Sequence, residues 1–87
     1  MNDRELRYIY EVEQRNSDAK EQLELSIISQ FTYDVVTQLP LKVMRLGLQS
    51  ISAYCDYPEK LEFHMLGNSD SINELRILKA KITELRG

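Results

Sequence analysis

Tryptophan is absent, cysteine and histidine occur once each, and only three glycines and two prolines interrupt the 87 residues. Each scarcity removes a class of chemistry. A single cysteine, Cys55, has no internal disulfide partner, which fits a reducing compartment. One cysteine and one histidine are too few for a four-ligand structural zinc site. Three scattered glycines, Gly47, Gly67 and Gly87, build neither a phosphate cradle nor a Gly-x-Ser-x-Gly elbow. Calcium is not indicated either, because no Asp-x-Asp-x-Asp-Gly loop occurs. No metal and no cofactor are therefore expected.

Long apolar runs are missing as well. The longest continuous stretches are two or three residues, against the ~20 needed to span a bilayer. Met1-Asn2-Asp3-Arg4-Glu5 holds no basic region followed by an apolar run, so no signal peptide is expected. The expectation is a cytoplasmic protein without a membrane partner.

What is present describes one soluble domain. Hydrophobic residues make up 43% and charged residues 29%, enough of each for a packed core and a solvated surface. Size scaling gives about 5,300 Å² of folded surface for such a chain. A domain this small is only marginally stable alone and gains from a partner. Fourteen acids against eleven bases leave a net charge of −3, which argues against general affinity for nucleic acid or anionic membrane. The charge is graded: residues 1–38 carry eight acids and four bases, and residues 67–87 three acids and four bases.

Helical periodicity dominates the pattern. Ser71-Ile72-Asn73-Glu74 has the form of a capping box, preceded by turn residues at 67–70. Leu75, Leu78, Ile82 and Leu85 then recur at three-four-three spacing on a helix running to Arg86. A central helix starts at Asp18 and carries Leu23, Ile27, Ile28, Phe31, Val35 and Leu39, apolar around more than half its circumference. Pro40 breaks or kinks the chain, and the next helix places Leu41, Met44, Leu48, Ile51 and Cys55 on one face before Tyr57-Pro58 ends it. Two segments stay open. Residues 5–13 and 60–66 alternate as half-buried strands do, yet Tyr8, Val12, Ala19 and Leu23 also fit helical spacing. The favoured reading is a mainly α, single-domain bundle of three to four helices; the alternative is α+β, with short strands at 5–13 and 60–66.

Candidate chemistry is thin. Cys55 lies on an apolar helix face, where a thiol stays protonated and inert. His64, the only histidine, stands beside Glu62 with no nucleophile in sequence register; Glu11 and Glu13 lie on different helix faces, and Glu21 and Glu24 read as an acidic first turn favoured by the helix dipole. No enzymatic activity is expected.

Binding surfaces offer more. Five tyrosines against two phenylalanines form an excess suited to protein interfaces, since the ring supplies contact area and the hydroxyl stays wet. Tyr33, Tyr54 and Tyr57 are the candidate contacts, together with Ile77, which lies off the C-terminal stripe. The seam of Leu75, Leu78 and Ile82 serves either the domain's own core or a homodimer through the last helix. These features point to a small non-enzymatic regulator, an inhibitor, adaptor or assembly factor that docks helix surface on another protein. The alternative is a DNA- or RNA-binding regulator using Lys42 and Arg45 on the third helix with Arg76, Lys79 and Lys81 on the last.

Overall fold

In the computed structural model, which describes residues 2–67 and 70–87, the chain is a mainly α, single-domain structure. Among the described residues five α-helices follow in order: α1 (Asp3–Glu24), α2 (Gln30–Thr37), α3 (Leu48–Asp56), α4 (Pro58–Gly67) and α5 (Ile72–Arg86). A short 3₁₀ helix at Leu41–Leu46 joins α2 to α3, and the described residues contain no strand.

α1 begins where Asn2 accepts a hydrogen bond from the Glu5 amide at 2.9 Å, with Asp3 and Glu5 in the first turn favoured by the helix dipole. Nothing in Asp3–Glu24 breaks a helix, so residues 5–13, open between strand and helix in the sequence, are helical. The expected continuous helix from Asp18 to Leu39 is instead the end of α1, a turn and α2, so Glu21 and Glu24 lie in the last turn of α1 and not in a first turn. The break is a Schellman motif: Ser26 takes a left-handed φ of 60°, its amide reaches the Leu23 carbonyl at 3.0 Å, and the Ile27 amide reaches the Gln22 carbonyl at 2.9 Å. Glycine normally fills that position, and its absence hides the turn. Ser29 then caps α2, accepting from the Thr32 amide at 3.1 Å. The excess apolar circumference seen in the sequence belongs to two helices folded back on each other.

The expected helix from Leu41 to Cys55 is also divided. Gly47 has φ +89°, a value that side chains rarely tolerate, so the chain re-aims between the 3₁₀ turn and α3. Pro58 opens α4, where a missing amide donor costs nothing. The alternation at 60–66 is overruled because Leu61 is buried and Met65 is half-buried four residues on, leaving Phe63 and Leu66 outside. At α5, Ser71 takes the N-cap position without a side-chain cap hydrogen bond, and Glu74 pairs instead with Arg45 at 3.4 Å. Of the turn expected at 67–70, Gly67 instead ends α4, and residues 68 and 69 lie outside the described residues.

α2 is the centre of the packing: eight residues long, it touches α1, α3 and α5. Its Val35 and Val36 join Ala19, Val43, Ile51, Cys55, Leu61, Leu75 and Leu78 in one continuous core. The molecule is more extended than its size requires. The accessible surface is 5940 Å² and the radius of gyration 13.4 Å, against about 5,300 Å² and about 12 Å for a compact chain of this length. α1 accounts for the excess, since 22 residues at ~1.5 Å each make a rod of about 33 Å whose first half overhangs the bundle.

Candidate protein-interaction surface

Every residue from Asn2 to Glu11 is exposed, yet this overhang carries Leu6, Tyr8, Ile9 and Tyr10, with 53, 57, 41 and 66% of their surface in water. Contact with the body starts at half-buried Val12 and deepens at Ala19, which is fully buried. Where the arm meets the bundle, Arg15 crosses to the end of α2: Nη2 donates to the Thr37 carbonyl at 3.2 Å and Nη1 to the Leu39 carbonyl. Nε donates to Asn16 Oδ1 at 3.2 Å. Burial pulls the Arg15 pKa below its ordinary value, and the nearby Tyr8 phenol partly opposes this. No carboxylate among the described residues lies within ion-pair distance of this guanidinium.

A second exposed apolar area sits at the α3–α4 corner. Phe63 and Leu66, three residues apart on α4, expose 73 and 89% of their surface. The Tyr54 hydroxyl meets His64 Nδ1 at 2.7 Å, and the two rings stand edge to face with centroids 5.5 Å apart. Tyr57 is exposed beside them, with Lys60 Nζ 4.8 Å above its ring. Tyr54 and Tyr57 thus share a corner, as their position in the sequence suggests, while Tyr33 lies elsewhere, half-buried against the core under Lys20 Nζ at 5.8 Å. Ile77 is half-buried against the same core. Leu75, Leu78 and Ile82 are buried inside it, so the C-terminal seam is used within the chain itself. Leu6, Ile9, Phe63 and Leu66 are not among the sequence candidates. All four lie in the alternating segments 5–13 and 60–66, and their exposure becomes legible only once those segments are known to be helical.

The basic candidates are dispersed. Arg45 pairs with Glu74 and donates to the Asp70 carbonyl at 3.3 Å. Lys79 meets Glu62 at 2.9 Å and Lys81 meets Glu84 at 3.1 Å, leaving Lys42 and Arg76 exposed without an ion pair among the described residues. Lys79 holds the Glu62 carboxyl below its usual range, first through the hydrogen bond and then through its charge. An open groove of about 670 Å³ beside α1 is lined by Ile27, Met44 and Leu48 and by the charged Glu11, Asp18, Glu21 and Arg15, a net acidic set that disfavours phosphate.

Cys55 is buried, and burial pushes its thiol pKa up, against a smaller lowering from a hydrogen bond to Thr32. Among the described residues no three His, Cys, Asp or Glu side chains converge to hold a metal ion. No described helix is long and apolar enough to cross a membrane. No protein-family model, curated protein or solved structure matches the chain.

Proposed function

We propose that this protein is a small interaction module, an adaptor, inhibitor or assembly factor, that works by docking helix surface on another protein. The overhang of α1 carries the reading. Large apolar side chains are placed along a helix that the rest of the chain leaves uncovered, although a fold of this size has little burial to spare. Leu6, Tyr8, Ile9 and Tyr10 supply the contact area, and Arg4, Arg7, Glu5 and Glu11 supply a charged border that selects orientation. The helix is tied down only in its second half, so it enters a complex already ordered and avoids most of the entropy cost of folding on binding. The α3–α4 corner, with Tyr54, Tyr57, Phe63 and Leu66, is a second contact area of the same kind.

The test is Leu6→Glu with Ile9→Glu. Both side chains are exposed, so the urea melt should move by less than ~0.5 kcal/mol. Capture of a partner protein by the tagged chain from its source lysate, with nuclease present, should be lost. A melt that collapses would make the arm part of the fold's own stability, and capture that is unchanged would move the binding surface elsewhere; either result overturns the reading.

A further inference from the structure

The groove beside α1 joins two unlike linings. The α1 part runs from Tyr10 to Gln22, about 18 Å of helix, and carries every charge in the groove. The remainder is wholly apolar: Leu25 and Ile27 from the turn after α1, Leu41 and Met44 from the 3₁₀ segment, and Leu48 from the start of α3. Leu25 and Ile27 keep 63 and 61% of their surface in water, so the fold itself leaves this strip uncovered.

The charges are available too. Glu11, Asp18 and Glu21 are exposed, and none of them meets a cation within ion-pair distance among the described residues. Asp18 accepts only from the Gln14 side chain, at 3.0 Å. Arg15, the one base in the lining, directs its three nitrogens to the Thr37 and Leu39 carbonyls and to Asn16. Three carboxylates against one guanidinium leave the groove with a net charge of −2.

We propose that this groove receives a basic amphipathic helix of about twelve residues from a partner protein. The proposal goes beyond the docking reading of the arm: there the chain offers its own helix, and here it takes one in. Charge complementarity selects the occupant. Lysine or arginine on one flank of the incoming helix meets Glu11, Asp18 and Glu21, while leucine-type side chains settle on Ile27, Met44 and Leu48. Glu11 and Asp18 are two turns apart and Glu21 follows three residues on, at ~10.5 and ~4.5 Å, separations that another helix lying alongside reproduces. Met44 lets the apolar strip adapt to side chains of different shape.

A helix fits better than an extended peptide. The described residues contain no strand whose edge could pair with one, whereas a helix satisfies its own backbone. Size agrees. A helix backbone about 10 Å wide and 18 Å long fills about 1,400 Å³, twice the 670 Å³ of the groove, so one face sinks in and the other stays in water. The chain cannot fill the groove from a second copy of its own basic helix. α5 is the one described helix with more bases than acids, its apolar seam is buried, and Lys79 and Lys81 are already paired.

The probe is a fluorescein-labelled peptide of fourteen residues built from leucine and lysine alone, with leucine at helical three-four spacing. Fluorescence anisotropy against the full chain should give a Kd on the order of 1–50 μM, weakening as salt is raised. Peptide helicity should rise on mixing. Asp18→Lys with Glu21→Lys, at exposed sites, should weaken binding at least tenfold without lowering the urea melt. Ile27→Ser, also exposed, should weaken it about fivefold. Leu6→Glu with Ile9→Glu lies outside the groove and should leave the affinity unchanged, so the arm and the groove fail separately.

No binding up to about 500 μM overturns the proposal. A scrambled peptide of the same composition that binds equally well means that charge alone attracts it, and overturns the helix. A peptide with glutamate in place of lysine that binds equally well overturns the choice of a basic partner. Equal loss with the arm variant moves the peptide to the arm and overturns the groove.

Discussion

Arg15 Nη2 donates to the Thr37 carbonyl at 3.2 Å, and through this contact the middle of α1 holds the C-terminal end of α2. The last carbonyls of a helix have no partner within it, and a cation there also complements the helix dipole. Arg86 repeats the arrangement from α5, donating from Nη2 to the Cys55 carbonyl in the last turn of α3 while its guanidinium lies 5.0 Å from the centre of the Phe31 ring. Two short helices of eight and nine residues are each closed by an arginine from a longer one. Helices of that length do not persist alone in water, so the clamps and the core hold them together.

Removing the first clamp should therefore loosen the hairpin. Arg15→Ala leaves the Thr37 and Leu39 carbonyls without that donor, and hydrogen bonds from a charged group contribute about 1.5–3 kcal/mol. A urea melt followed by circular dichroism should show a loss of about that size. A change under ~0.5 kcal/mol would mean that water replaces the guanidinium at no cost.

Ser26 offers the opposite sign. Its φ of 60° costs a side-chain-bearing residue about 1 kcal/mol, which glycine does not pay, although glycine gives back part of the gain through its freer unfolded chain. Ser26→Gly should raise the melting temperature by a few degrees and Ser26→Val should lower it. If Ser26→Gly melts below the wild type, the left-handed turn is not the strained position.

Leu78 separates two uses of the C-terminal seam. Its side chain is fully buried, so Leu78→Ala should cost about 2–5 kcal/mol at a protein concentration where the chain is monomeric. A loss that appears only at concentrations where the chain self-associates would place Leu78 in a contact between copies.

Cys55 makes the pH dependence testable. Its folded pKa is raised above the unfolded value, chiefly by burial. The native state therefore keeps its proton where the unfolded chain has begun to lose it. The stabilising difference is complete below the unfolded thiol pKa of ~8.5 and is lost as pH rises above it. Wild-type stability should fall in that range more steeply than that of Cys55→Ala. In the native state at pH 8 the thiol should react with a disulfide reagent far more slowly than after denaturation. Equal slopes for the two chains would show that the thiol does not titrate differently in the two states.

The strongest local signals in the sequence survived folding. The apolar stripe of α5 packs as its spacing requires, because three-four-three periodicity over fifteen residues presents one face whatever the neighbours do. Proline at positions 40 and 58 falls before the 3₁₀ helix and at the start of α4, since its missing amide tolerates little else. Composition alone determined that disulfides within the chain and a four-ligand zinc site are unavailable.

The rest was decided between segments distant in sequence. The division of the central helix at Ser26 lacks a glycine to announce it, and it is held by α2 folding back until Arg15 reaches Thr37, 22 positions away. The helical state of residues 60–66 depends on Leu61 entering a core that α5 helps to build. The candidate surface depends on a quantity that no sequence pattern contains, namely how far α2 extends along α1. Tyr8 and Ala19 lie on the same face of one helix and carry the same periodic signal. Ala19 is buried because α2 reaches it, and Tyr8 remains in water because α2 ends first. Periodicity assigns a side chain to a face; only the packed chain determines whether that face is covered.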